Sequence, residues 1–141
     1  MAGPLVVGYD GTEGARAALA ETLRLAGALG VDIVVAFAYW AGALGGESAG
    51  LLETLRERGR AVTQEALDTA QAAGVQGSAE LVNDRPAEAL AQVAEEVGAQ
   101  MIAVGSYGER PLTALIVGST PHRLMHVTAV PVLVVRGVPP S

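Results

Sequence analysis

Gly105, Gly108 and Gly118, with the hydroxyl residues Ser119 and Thr120, are spaced G-x2-G-x9-G-[ST] between an apolar run at 101–104 and a helical stretch from about 121 to 127. That spacing suits a phosphate cradle. Glycine lets the backbone turn tightly, adopt positive φ and approach a ligand with no Cβ in the way. A helix opening at 118–120 adds unpaired N–H groups and the positive end of its dipole, both of which favour an anion. The pattern is neither the dinucleotide G-x-G-x-x-G nor the Walker G-x4-G-K-[ST]. Because 18 of the 141 residues are glycine, the spacing alone also fits two loops that merely need glycine. The apolar run before it, the hydroxyls at the helix start and a second apolar run at 130–135 close behind favour the cradle.

Other residues with chemical potential are sparse. Asp10, followed by Gly11 and Thr12, either meets a ligand or caps the turn into a helix. His122 and His126 stand four apart on a helical stretch, which is metal-ligand spacing. Two ligands do not make a site, no third lies nearby in sequence, and no metal is expected. Trp40, at the start of the glycine-rich stretch 41–50, either covers a flat ligand or serves packing or a partner contact. Arg85 either reaches a phosphate or is solvated. No positioned nucleophile and base, S-G-G-x-D-S loop or H-x-G-H signature is present, so binding is expected rather than a dedicated reaction. With no cysteine, disulfides, thiolate catalysis and zinc–thiolate sites are excluded.

These residues must be held by short elements, and the pattern names them. Apolar runs at 5–7, 33–37, 78–82, 101–104 and 130–135 alternate with helical stripes. The stripes are Ala15, Ala18, Leu19, Thr22, Leu23 and Ala26; Leu51, Leu55, Val62, Ala66, Ala70 and Ala73; and Leu90, Val93, Ala94 and Val97. Gly27 or Gly30, Gly74 and Gly98 are available as helix ends, and Pro86 suits a first turn. Alternation of strand and helix predicts a parallel α/β sheet in one domain, with binding outside the carboxyl ends of the strands. Half the chain is apolar but only one Phe, one Trp and three Tyr occur, so Ala, Val and Leu must build the core. A net charge of −6 disfavours nucleic acid. No apolar run approaches the ~20 residues of a membrane span and no signal peptide is evident, so a cytoplasmic protein with no membrane partner is expected.

Several ordered stretches together resemble the universal stress protein family. The opening run into Asp10, Gly11 and Thr12 is similar to its V-x-x-D-G-S start, and Arg85, Pro86, Ala87 and Glu88 to its third-helix start. Residues 98–105 are similar to its G-A-D-L-I-V-V-G, and the glycine spacing with the run at 130–135 to the cradle and last strand of its nucleotide-binding members. The resemblance implies a three-layer, Rossmann-like sheet (adenine nucleotide alpha hydrolase-like) of five mainly parallel strands, ordered 3-2-1-4-5, with its core at about 4–136. It implies a stress-response module that binds ATP, ADP or AMP, with or without Mg2+, and regulates an unknown protein partner. Tyr9, Asp10, Gly11 and Thr12 would stand on the adenine and ribose side, and the Phe37 and Ala38 backbone at the base edge. Gly105, Ser106, Tyr107, Gly108 and Arg110 would follow the ribose and inner phosphate, and Gly118, Ser119 and Thr120 the phosphates. Val130, Val132, Leu133, Val134 and Val135 would form a homodimer edge.

Two residues depart from that pattern. Tyr107 stands where Arg or His is common, and Pro121 stands where relatives usually offer Ser or Thr. Proline has neither hydroxyl nor N–H, so one or two donors to the outer phosphates are lost. An interaction-only protein without nucleotide is the alternative reading, and a slow ATPase a further one.

Overall fold

Short apolar runs become strands, with a more polar one at the sheet edge, and longer 3.6-periodic stretches become helices, in the computed structural model, which describes residues 2–40, 49–106 and 119–137. The strands are β1 (Leu5–Gly8), β2 (Ile33–Tyr39), β3 (Gly77–Asn83), β4 (Met101–Gly105) and β5 (Val132–Val135). Between them run α1 (Glu13–Leu29), α2 (Ala49–Ala72), α3 (Pro86–Val97) and α4 (Ser119–Val127). All four strand pairings are parallel, and the order is β3-β2-β1-β4-β5, as expected from sequence.

Side-chain alternation along the strands divides the core into two layers. Leu5, Val7, Ile33, Val35 and Ala103 face α1 and α2, packing on Ala18, Leu19, Ala66 and Ala70. Val6, Val34, Ala36, Ile102 and Val104 face α3 and α4, packing on Leu90, Val93, Ala94 and Leu124. Helix boundaries follow from capping chemistry. The Thr12 Oγ1 accepts from the Ala15 N–H at 3.3 Å to start α1, and Gly30 ends it at φ 68°. Pro86 sits in the first turn of α3 and Gly98 ends that helix at φ 64°.

Each strand differs by one or two residues from the sequence reading, β2 running on to Tyr39, and two boundary differences bear on the site. Helix α4 starts at Ser119, two residues before the expected 121, so Ser119 and Thr120 belong to its first turn. Strand β5 starts at Val132, which corrects the assignment of Val130 to that strand. Pro131 has no N–H to continue a ladder; its carbonyl accepts from Ile102 N at 2.9 Å, while Val130 N donates to Thr128 Oγ1 at 3.1 Å. Val130 is therefore a packing residue against the α3–α4 layer.

The closest approach that shapes the binding end is between backbones. A Cβ at Gly105 would lie 2.6 Å from the carbonyl oxygen of Gly14 in α1 and 2.7 Å from its carbon. Gly27, within α1, has nothing within 4 Å of the equivalent position. Gly105→Ala is therefore expected to cost about 1–3 kcal/mol by overpacking. Gly27→Ala should stabilise by roughly 0.5–1 kcal/mol, because alanine restricts the unfolded chain and suits a helix interior. Urea unfolding of both variants checks this contrast; equal stabilities would remove the backbone contact from the account.

Candidate functional site

The strand order reverses between β1 and β4: from β1 the chain moves outward through α1 to β2, and from β4 outward through α4 to β5. In open α/β sheets ligands bind outside the carboxyl ends of the strands at such a reversal. Asp10, Gly11 and Thr12 follow β1 on this rim, and Gly105 and Ser106 close β4. Ser119 and Thr120 open α4, whose direction opposite to the strands brings its N-terminus to the same end.

Much of the β1 turn is committed to its own shape. Asp10 Oδ1 accepts from the Thr12 N–H at 3.0 Å and from the Thr12 hydroxyl at 2.6 Å, and Gly11 takes φ 82°. Asp10 thus performs the turn-capping role through one carboxylate oxygen. Tyr9 turns into the layer beneath α1 and α2, only 3% exposed, and its hydroxyl donates to Glu65 Oε1 of α2 at 2.6 Å. The same oxygen accepts from Arg16 Nε at 3.2 Å and pairs with its Nη2 at 3.1 Å. Burial, reinforced by the Glu65 carboxylate, pushes the Tyr9 hydroxyl up to about 12. The hydrogen bonds from Tyr9 and Arg16 hold Glu65 below the usual carboxylate range. Glu65 and Gly14 belong to no motif legible in the sequence, because both matter through contacts between distant segments.

Phe37 is likewise a core residue in its side chain: a Cβ at Gly59 of α2 would lie 2.7 Å from the Phe37 ring and 3.0 Å from Leu81. What Phe37 and Ala38 can offer a ligand is backbone. Ser106 differs from these. The residue is 6% exposed, its backbone N–H donates to Val135 O at 2.9 Å, and its hydroxyl has no hydrogen-bond partner among the described residues. Buried hydroxyls are normally paired, so this one is a candidate ligand group. In the first turn of α4, Ser119 is exposed, Thr120 half-buried and Pro121 buried. Pro121 removes one of the N–H groups that a helix start otherwise presents. Tyr107, Gly108, Arg110 and Gly118 lie outside the described residues.

Trp40 and Arg85, read separately in the sequence, meet in space, and the histidine pair makes contact. The Arg85 guanidinium lies over the Trp40 indole, 4.6 Å from the ring centroid. The His122 and His126 rings contact edge to face with centroids 5.2 Å apart. No group of three or more His, Cys, Asp or Glu residues able to hold a metal occurs among the described residues. Nor is any described helix long and apolar enough to cross a membrane.

A parallel sheet in the order 3-2-1-4-5, covered by helices on both faces and open at the β1–β4 reversal, defines a Rossmann-like α/β domain. The sequence profile of the universal stress protein family matches residues 1–136, and the chain belongs to that family. A universal stress protein of Mycobacterium tuberculosis is 32% identical over 136 residues, covering 94% of this chain and 45% of the relative. The Bacillus subtilis protein YxiE is 32% identical over 82 residues, 58% of this chain and 55% of its own length. The chain thus spans about half the length of the curated relatives it matches. Among solved structures, a universal stress protein in complex with cAMP is 27% identical at a TM-score of 0.76, covering 98% of this chain and 100% of its own. An Archaeoglobus fulgidus universal stress protein in complex with dAMP shares the fold at a TM-score of 0.71 and 20% identity, covering 94% and 96% of the two chains.

The Tyr9 contact predicts an alkaline transition. The folded hydroxyl ionises near 12 against 10.0 for the ordinary group, so its stabilisation is complete below pH 10. It declines as the unfolded chain releases a proton that the folded chain retains, and is lost as pH rises through about 12. Absorbance titration should show one tyrosine ionising near pH 12, a step missing from Tyr9→Phe. That variant should lose about 1.5 kcal/mol at neutral pH, the scale of a hydrogen bond to a charged group. Titration curves identical in the two proteins would contradict the assignment.

Proposed function

We propose that this universal stress protein binds an adenine nucleotide at the β1–β4 reversal and that the bound ligand regulates interactions, rather than feeding a reaction. The observation that carries the reading is Ser106: a buried hydroxyl with no described partner, at the end of β4, where the strand order reverses. The helix start at Ser119 and Thr120 adds donors suited to phosphate. The cAMP complex of a relative 27% identical over 98% of this chain supports adenine as the base. In this reading the Asp10 turn and the Phe37–Ala38 backbone flank the base and ribose, Gly105 and Ser106 the inner phosphate, and Ser119 and Thr120 the phosphate end, with Mg2+ optional.

Turnover is slow or absent. Phosphoryl transfer needs an oriented water and cationic stabilisation, whereas Arg123 is paired with Glu88 at 3.1 Å and Pro121 removes a donor. The same loss makes the outer phosphates weak contributors, so ATP and ADP bind within about tenfold of each other. An interaction module without nucleotide is the competing reading, and Pro121 is the residue that favours it. The protein acts in the cytoplasm as a homodimer joined through the outer edge of β5. Leu133 and Val135 there lean toward α1, Val132 and Val134 toward α4, and all four are only partly buried.

Thermal unfolding with AMP or ATP and magnesium tests the ligand. Saturation at about 100 times the dissociation constant should stabilise the fold by about 2.7 kcal/mol. Ser106→Ala should leave the unliganded protein equally stable and weaken AMP binding about tenfold, or about 1.4 kcal/mol. Ligand-free protein with no shift at millimolar nucleotide would transfer the assignment to the interaction-only reading. Light scattering should give a dimer, and Leu133→Asp a monomer; a monomeric wild type at high micromolar concentration rules out the β5 contact.

A further inference from the structure

We propose that Trp40 and Arg85 form the nucleobase subsite of this site, with the flat base stacked between indole and guanidinium, and with Arg85 holding its place on the indole when no base is bound. This rests on the nucleotide reading above and adds to it the groups that grip the base.

Trp40 is the chain's single tryptophan. It directly follows β2 and is 42% exposed, while the neighbouring aromatics Phe37 and Tyr39 are buried in the sheet. A large apolar ring left in water on a binding rim, with a planar cation against its face, offers the surface that flat ring systems stack upon. The sheet register fixes its partner. Tyr39 pairs with Asn83, so the residues just beyond these strands, Trp40 on one side and Asp84 and Arg85 on the other, reach the same level of the rim. Strand β2 in turn adjoins β1, which leads into the Asp10 turn.

Arg85 is used differently from most arginines here. Arg16, Arg24, Arg60 and Arg123 each pair with a carboxylate, and Arg56 donates to the Tyr39 hydroxyl. Arg85 forms no ion pair among the described residues and instead lies 4.6 Å from the Trp40 ring centroid. An exposed cation–π contact is weak, and a base stacked on an aromatic is worth more. Admitting a base requires the guanidinium to lift until the two planes stand about 7 Å apart, twice an ordinary carbon contact. The Arg85 side chain can make that movement because its backbone stays anchored. Its N–H donates to Asp84 Oδ1 at 2.7 Å, and its carbonyl accepts from Ala89 N at 2.8 Å as α3 begins. A planar guanidinium then covers the second face of the base, which an ammonium does not do.

The single tryptophan makes the test direct. AMP is titrated into the full chain with Trp fluorescence and calorimetry read in parallel, and ribose 5-phosphate serves as the ligand lacking a base. The fluorescence should change with the calorimetric dissociation constant for AMP and stay constant for ribose 5-phosphate. Trp40→Ala should weaken AMP about tenfold, Trp40→Phe should recover most of that loss, and Arg85→Lys should bind about threefold more weakly than wild type. Thermal unfolding of each variant without ligand separates loss of binding from loss of fold. AMP binding by calorimetry with unmoved fluorescence, and with Trp40→Ala within twofold of wild type, overturns this subsite and leaves the nucleotide reading intact. Absence of AMP binding by both methods overturns both.

Discussion

The contact between the backbone of Gly14 in the first turn of α1 and that of Gly105 at the end of β4 is the constraint on which the binding end depends. With no side chain between them, α1 lies across β4 as well as its own β1, and a methyl group would have to sit within 2.7 Å of main-chain atoms. Main chain cannot yield as a flexible side chain does. The turn that precedes α1 therefore sits beside Gly105 and Ser106, and the two halves of the sheet share one rim. Gly105, which reads in sequence as a residue for approaching phosphate, is first of all a residue for approaching α1.

A second consequence concerns which groups remain available. Tyr9 is tied to Glu65, Thr12 to Asp10 and Ala15, and the Phe37 ring to Gly59 and Leu81. What the described rim leaves over is mostly backbone, together with the hydroxyls of Ser106, Ser119 and Thr120 and the Trp40–Arg85 pair. A site assembled this way suits recognition of phosphate and of a base edge by fixed dipoles, which need no net positive charge. That is compatible with a chain whose net charge is −6. Catalysis of phosphoryl transfer asks for more concentrated charge than such a rim supplies.

The elements were legible in the sequence because each is specified locally. Strands of four to seven residues, apolar on both faces in all but the edge strand β3, and helices ended by Gly30 and Gly98, can be read without knowing what packs on them. The exceptions turn on residues with two local solutions. Pro131 fits inside an edge strand or just before one, and the carbonyl bond to Ile102 decides for the latter. The partnerships of the site were less legible. Tyr9 with Glu65, Gly105 with Gly14, and Trp40 with Arg85 join segments far apart in the chain, and only the strand order and register bring them together.

Amide chemical-shift mapping of the 14.3 kDa chain during an AMP titration tests the central claim most directly, because it reports where a ligand sits without altering a residue. Saturable shifts are expected at Asp10, Gly11, Gly105, Ser106, Ser119 and Thr120, with Asp32, Gln76 and Gln100 at the opposite ends of the strands unmoved. Saturable shifts centred on those last three residues, or no shifts at millimolar AMP, would contradict it.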